Sequence, residues 1–267
     1  MAKEERFSVP IVSIGNLIVG GSGKTPVTIA LAQRYKDVFI ILRGYKRHSH
    51  GLIMISDKGD ILTDVRTSGD EAMLYATTLP HASVIVSEDR VKAIKKAQSL
   101  GAKVIFLDDG FSKAHIQKLD ILLKPALSQA SSFCLPSGPY RERRSLYHDN
   151  LVLEEDIDFS REVNITNPSN RMLLVSAISK PQRLERFIPP HIERVYYPDH
   201  HTISQNELYH LLQKYQADTI LTTRKDAVKM ADFGIELSIL ELNIMIKPDI
   251  LKIVDTFIED FGKMPKI

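Results

Sequence analysis

Gly20-Gly21-Ser22-Gly23-Lys24-Thr25 is the stretch on which the reading of this chain turns. Ahead of it, residues 9–15 (Val-Pro-Ile-Val-Ser-Ile-Gly) form a short apolar, β-branched run that reads as a buried strand. Behind it, residues 25–35 read as a helix. Strand, glycine-rich loop and helix in that order is the context a phosphate-binding loop requires. The glycines let backbone N–H groups face a phosphate chain without a Cβ in the way. The helix N-terminus adds a favourable dipole. Gly20, Gly21, Ser22 and Gly23 would cradle the phosphates, and Lys24 would reach the β- and γ-phosphates. The Thr25 hydroxyl would ligate Mg²⁺. One position departs from the G-x-x-x-x-G-K-[ST] pattern, since Ile18 stands where it has Gly. The competing reading is an accidental glycine-rich turn; the agreement of strand, loop, Lys-Thr and helix argues against it.

The pattern continues outward as alternating strands and helices. Strands are expected at 38–42, 83–87, 104–107 and 119–123, with helices at 70–79 and 89–100. Asp57-Lys58-Gly59 reads as a hairpin turn between 52–55 and 60–62. This alternation predicts a P-loop NTPase-like α/β fold, a mostly parallel sheet with helices on both faces. Residues 125–170 change character, holding Leu135-Pro136-Ser137-Gly138-Pro139, a basic cluster at 141–144, and an acidic run at 150–165 without a clear period. They read as loop and connector. The alternation then resumes, with strands at 172–178, 194–197, 219–222 and 239–243 and helices at 181–187, 205–215 and 248–261. The predicted division is a P-loop domain with connector over 1–165 and a smaller α/β domain over 166–267.

Composition narrows the function classes. The 267 residues are 43% hydrophobic and 25% charged, which excludes bulk disorder and low complexity. A formal net charge of +2 gives no polyelectrolyte signal, so nucleic acid is not an expected partner. The single cysteine, Cys134, cannot form an internal disulfide or a multi-Cys metal site and reads as a packing residue. No apolar run approaches the ~18–20 residues of a membrane span. Residues 1–8 are charged and lack the apolar region of a signal peptide.

Further residue groups bear on the chemistry. Val104-Ile105-Phe106-Leu107-Asp108 is an apolar strand ending in a carboxylate, which would hold Mg²⁺. Asp109 would point to the other face of a regular strand and serve another purpose; the bland alternative is an Asp-Asp-Gly turn. Gly69-Asp70-Glu71 opens a helix and offers one carboxylate to the metal and one to an acceptor, or else simple capping by Asp70. Pro198-Asp199-His200-His201 reads either as a polar loop or as a tuned base pair, before a helix capped by Ser204. Arg43-Gly44-Tyr45-Lys46-Arg47 and Arg141-Glu142-Arg143-Arg144 would suit an anionic acceptor, or form solvated loops. Lys225-Asp226, at the end of the strand that starts at Thr219, could touch nucleotide or merely cap, and spacing favours the cap.

Taken in order, these motifs resemble the tetraacyldisaccharide 4′-kinases of lipid A biosynthesis. The likeness runs over roughly residues 9–230. It comprises Ser13-Ile14-Gly15-Asn16-Leu17 with the loop after it, Arg43-Gly44-Tyr45, Gly69-Asp70-Glu71 and Asp108-Asp109-Gly110-Phe111. It continues with Leu135-Pro136-Ser137-Gly138 and Arg141-Glu142, Asp199-His200-His201, and Thr223-Arg224-Lys225-Asp226. That family's phosphate loop is similarly odd at its first glycine. The resemblance implies transfer of the ATP γ-phosphate to the 4′-hydroxyl of a tetraacylated glucosamine disaccharide 1-phosphate, forming lipid IVA. It implies ATP and Mg²⁺ as cofactors, a lipid disaccharide substrate, and a monomer peripheral to the cytoplasmic face of the inner membrane. It implies Asp70 as catalytic base assisted by His200, Glu71 and Asp108 at the metal, and Asp109 and Lys24 in catalysis. Arg43, Tyr45, Arg141 and Glu142 fall on the substrate side. Two departures stand out. Family members ordinarily open with a longer apolar segment that docks on the membrane, whereas about eight residues precede the first strand here: either the segment is absent or this is a shortened form, which bears on stable membrane attachment and not on the chemistry. Ser112-Lys113 replaces the family's Gln-His, which removes that His or moves its role to His115. Two rival readings are a nucleotide-dependent switch or chaperone, and a metal phosphohydrolase built on Asp199-His200-His201.

Overall fold

The computed structural model describes residues 5–16, 23–124, 150–178, 181–199 and 201–261. The chain folds as two compact units, residues 1–161 with 244–267, and residues 162–243.

The first unit starts with β1 (Ile11–Asn16), α1 (Lys24–Ala32), β2 (Val38–Leu42), β3 (Ile53–Asp57) and β4 (Asp60–Ile61). It continues with α2 (Val65–Ser68), α3 (Asp70–Thr78), β5 (Ser83–Val86), α4 (Arg90–Ser99), β6 (Val104–Asp108), β7 (Leu119–Lys124) and β8 (Leu151–Glu154). β9 (Phe159–Thr166) runs from this unit into the second. The described strands form an eight-stranded sheet of order β4-β3-β5-β2-β6-β1-β7-β8. The pairings from β5 to β8 are parallel; β3 is antiparallel to β5, and β4 to β3. Every residue of β1, β2, β5 and β6 is buried. Their continuous apolar runs follow from having both faces covered. Alternate residues feed the two layers: Val38, Ile40 and Leu42 pack on the side of α1 and α3, Phe39 and Ile41 on the side of α4. Burying each such side chain contributes ~1.5–3 kcal/mol.

The strand order reverses around β1. From β1 the chain crosses through α1 to β2, beyond β6; from β6 it goes to β7, on the other side of β1. In open α/β sheets, ligands bind outside the carboxyl ends of strands at such a switch. Here that point lies between the ends of β1 and β6, in register at Ile14 and Asp108.

The second unit holds β10 (Met172–Ser176), β11 (Glu193–Tyr196), α5 (Gln205–Tyr215), β12 (Thr219–Thr223), α6 (Arg224–Ala227) and β13 (Leu237–Ile246), which leads back into the first unit. Its sheet has the order β11-β10-β12-β13-β9. α7 (Pro248–Phe261) follows β13.

Three expectations need correction. Residues 150–165 are not a connector but contribute β8 and β9. β9 alternates between partly buried and exposed positions, with Arg161 occupying one of the inner ones, so charge hid the period of two. The segment Pro181–Phe187 is a 3₁₀ helix, not an α-helix. α7 belongs to the first unit rather than to a domain spanning 166–267. Val254 is buried in the core beside β1, β2 and α1, with Ile250, Leu251, Phe257 and Ile258 packed against it. Asp255 accepts hydrogen bonds from Arg34 (2.6 Å) and from the Tyr35 hydroxyl (2.5 Å). Among the described residues, no helix is long and apolar enough to cross a membrane.

Candidate functional site

Gly23, Lys24 and Thr25 are described at the start of α1. Gly20, Gly21 and Ser22, with Arg141, Glu142 and His200, lie outside the described residues, as does Cys134. Gly23 caps α1 at φ 89, in the left-handed region that favours glycine. A Cβ there would stand 2.8 Å from Nη2 of Arg161, whose guanidinium is ion-paired with Glu155 at 2.6 Å. The chain therefore enters α1 through a backbone that only glycine fits, and Lys24 follows at the first helical position.

The carboxyl end of β6 faces this helix start. Asp108 ends the strand and is 4% exposed. Asp109 leaves it with φ 54, a conformation that Asp tolerates, and its N–H donates to the Ile14 carbonyl at 3.0 Å. The two carboxylates thus part company, one inward and one outward. Lys24 Nζ lies 4.0 Å from Oδ1 of Asp109. The phosphate-loop lysine and the Asp-Asp pair, 84 residues apart in sequence, meet because β1 and β6 are hydrogen-bonded neighbours. Gly15 lets the loop after β6 close down: a Cβ there would stand 3.0 Å from Cβ of Phe111.

Asp108 is in an unusual state for a carboxylate. Oδ2 accepts a hydrogen bond from the Tyr75 hydroxyl at 3.0 Å, and Oδ1 is buried with no hydrogen-bond partner among the described residues. Burial first, then the nearby Glu71 charge, push its carboxyl up to about 7, against the attraction of Lys24. A buried acceptor left open calls for an explanation such as an ion or water. One open carboxylate within reach of the charge of Lys24, the residue before Thr25 at the helix start, fits the way Mg²⁺ is held in nucleotide sites, through one or two carboxylates, phosphates and water. Among the described residues, no three His, Cys, Asp or Glu side chains gather as a metal-binding group.

α3 supplies the other acidic pair. Its cap is Gly69, with no side-chain cap, so Asp70 and Glu71 are the first two helical residues and Asp70 is not the cap. Glu71 is close enough to Asp108 and Tyr75 to raise the carboxyl of one and the phenol of the other. Arg43 and Tyr45 follow β2, the neighbour of β6. Both are exposed, Tyr45 at 64%, so an apolar ring stands in solvent beside the first basic cluster. Arg47 of the same cluster is instead buried, donating through Nη2 to the Gly51 carbonyl (2.5 Å) and to Glu88 (2.5 Å).

Several neighbours of the site were not singled out in the sequence. Arg90, 4% exposed, donates to the carbonyls of Ser87 (2.6 Å) and Asp108 (3.3 Å) and so ties the ends of β5 and β6. Tyr75 lies one helical turn after Glu71, and that i,i+4 spacing was its only signal. Arg161 carried none. His115 lines a shallow hollow with Glu88, Asp89, Arg90, Val91 and Lys113.

In the second unit, Thr223 rather than Asp226 caps α6, its hydroxyl accepting from the Asp226 N–H at 3.3 Å, and Asp226 is a buried structural acceptor. Its Oδ2 accepts from the Ser176 hydroxyl (2.9 Å), the Ala177 N–H (3.0 Å) and the Thr223 hydroxyl (3.2 Å). Ser204 caps α5 in a reciprocal capping box with Glu207. The His201 ring stacks on Tyr197 at 4.6 Å.

Comparison with known proteins agrees with this geometry. The tetraacyldisaccharide-1-P 4′-kinase family profile matches residues 1–259. A tetraacyldisaccharide 4′-kinase of Aliarcobacter butzleri is 50% identical over 257 residues, covering 93% of this chain and 82% of the relative. One from Helicobacter acinonychis is 46% identical over 259 residues, covering 96% and 83%. The crystal structure of "apo" form LpxK from Aquifex aeolicus in complex with ATP superposes with a TM-score of 0.75 at 25% identity, covering 97% of this chain and 90% of that one. The match spans both units and every motif that meets at the β1–β6 switch, and the chain belongs to the tetraacyldisaccharide-1-P 4′-kinase family.

Proposed function

We propose that this chain transfers the γ-phosphate of ATP to the 4′-hydroxyl of a tetraacylated glucosamine disaccharide 1-phosphate. The observation that carries the reading is the convergence of Lys24, at the start of α1, with Asp108 and Asp109, at the end of β6, across the topological switch. Family membership supplies the acceptor. Phosphoryl transfer asks the protein for positioning and charge more than for covalent chemistry. Gly20, Gly21, Ser22 and Gly23 hold the phosphates through backbone N–H groups, and Lys24 stabilises charge on the β- and γ-phosphates. Thr25, Glu71 and Asp108 would hold Mg²⁺, which when bound neutralises phosphate charge. Asp70 takes the proton of the 4′-hydroxyl, assisted by His200. That oxygen forms the new P–O bond as the bond from the γ-phosphorus to the ADP oxygen breaks. Asp109 orients Lys24 through the ion pair seen here. Arg43, Arg141 and Glu142 with Tyr45 bind the anionic acceptor. The enzyme works as a monomer at the cytoplasmic face of the inner membrane, where its lipid substrate lies.

Incubation with γ-labelled ATP and a panel of acceptors, the lipid disaccharide included, tests this. Label on the lipid is the expected result. Label released as free phosphate irrespective of acceptor would overturn it in favour of a nucleotide-driven switch.

A further inference from the structure

We infer that Tyr75 is a positioning residue of this site: its hydroxyl holds one carboxylate oxygen of Asp108 and thereby presents the other as the open ligand position. The inference rests on the kinase reading above and deepens it.

Tyr75 is fully buried, in the layer formed by α1, α3 and the sheet. Apolar packing around the ring sets where the hydroxyl sits. A phenylalanine would fill the same space without burying a polar atom, and a buried hydroxyl costs folding free energy unless it is hydrogen-bonded. Its partner is Oδ2 of Asp108, at 3.0 Å. The terminal torsion of an Asp side chain is broad and two-fold, so the backbone does not fix the carboxylate plane. Arg90 binds the main-chain carbonyl of Asp108 and leaves the carboxylate alone, while Glu71 and Lys24 act on the carboxylate through charge rather than through a hydrogen bond among the described residues. Oδ1 has no hydrogen-bond partner among the described residues. The phenol is therefore the hydrogen bond that orients this carboxylate, and it occupies one oxygen only. Hydrogen bonds from behind a metal ligand ordinarily tune metal affinity by about 10–100-fold.

The test compares wild-type protein with Tyr75→Phe, and with Tyr75→Leu as an independent variant lacking the hydroxyl. Calorimetry gives ATP affinity with Mg²⁺ and in chelator. The expected result is that the Mg²⁺-dependent gain in ATP affinity falls by about tenfold, the lower end of that range. Affinity in chelator stays unchanged, and excess Mg²⁺ restores kcat. In the Tyr75→Phe/Asp108→Asn double variant, the loss should equal that of Asp108→Asn alone, because the hydroxyl acts through the carboxylate. An undiminished Mg²⁺-dependent gain in Tyr75→Phe, an equal loss with and without Mg²⁺, or additive losses in the double variant would each overturn the inference. Absence of any Mg²⁺-dependent ATP binding in the wild-type protein would instead bring down the kinase reading itself.

Discussion

Asp108→Asn should stabilise the ligand-free protein at mildly alkaline pH while abolishing its chemistry. The wild-type carboxyl is raised from 3.8 to about 7 in the fold, chiefly by burial and then by Glu71. A carboxyl raised on folding binds its proton more tightly in the native state, so stability is lost as pH rises through the window between the two values. Integrated, the cost to folding is about 2 kcal/mol near pH 5 and about 4 kcal/mol near pH 8. The amide does not titrate. Whatever fixed penalty it carries, its stability relative to the wild type should therefore rise by about 2–3 kcal/mol from pH 5 to pH 8. Urea denaturation in chelator, without nucleotide and at both pH values, measures this. Adding Mg²⁺ and ATP should raise wild-type stability at pH 8 by more than that of the variant, which keeps only the Mg²⁺-independent part of ATP binding. A gap between the two proteins that is the same at both pH values would refute the reasoning.

Other expectations follow from the same geometry. Asp70→Asn should lower kcat by about 10²–10⁴ with ATP affinity retained, as judged by steady-state kinetics and calorimetry; near-normal turnover would remove Asp70 from the role of base. Lys24→Ala should lower kcat by more than Asp70→Asn does and weaken ATP binding as well, because charge stabilisation on the phosphates goes with it. Asp255→Ala removes the acceptor of two hydrogen bonds that tie α7 to Arg34 and Tyr35. It should cost about 1–3 kcal/mol and accelerate amide hydrogen exchange in α7, and unchanged exchange would show that apolar packing alone holds the helix.

The nucleotide half of the site was legible from residues 9–25 because its signals are local. An apolar run, glycines and Lys-Thr lie within one strand-to-helix turn, and each constrains the next. The Asp108-Asp109 pair was legible too, as the end of a continuous apolar strand. Asp70 was weighed as a helix cap because carboxylates favour that place, yet Gly69 takes it and leaves Asp70 in the first turn. β9 went unread because charged residues interrupt its alternation, and β8 because its apolar run, Leu151-Val152-Leu153, is only three residues long. Tyr75, Arg90 and Arg161 gave no functional signal, since a buried tyrosine in a helix reads as core and single arginines as surface. Their roles depend on what stands opposite them.

Local backbone chemistry, then, is what the string of residues determined: where a phosphate chain can be cradled, which strands are buried on both faces, and which motifs accompany them. The tertiary structure alone decided the meeting of Lys24 with Asp109, and left Oδ1 of Asp108 without a hydrogen-bond partner among the described residues. It also decided the return of α7 to the first unit. Strand order is set by long-range pairing, and the state of a carboxylate by the dielectric and the donors around it; neither is encoded within the few residues on either side.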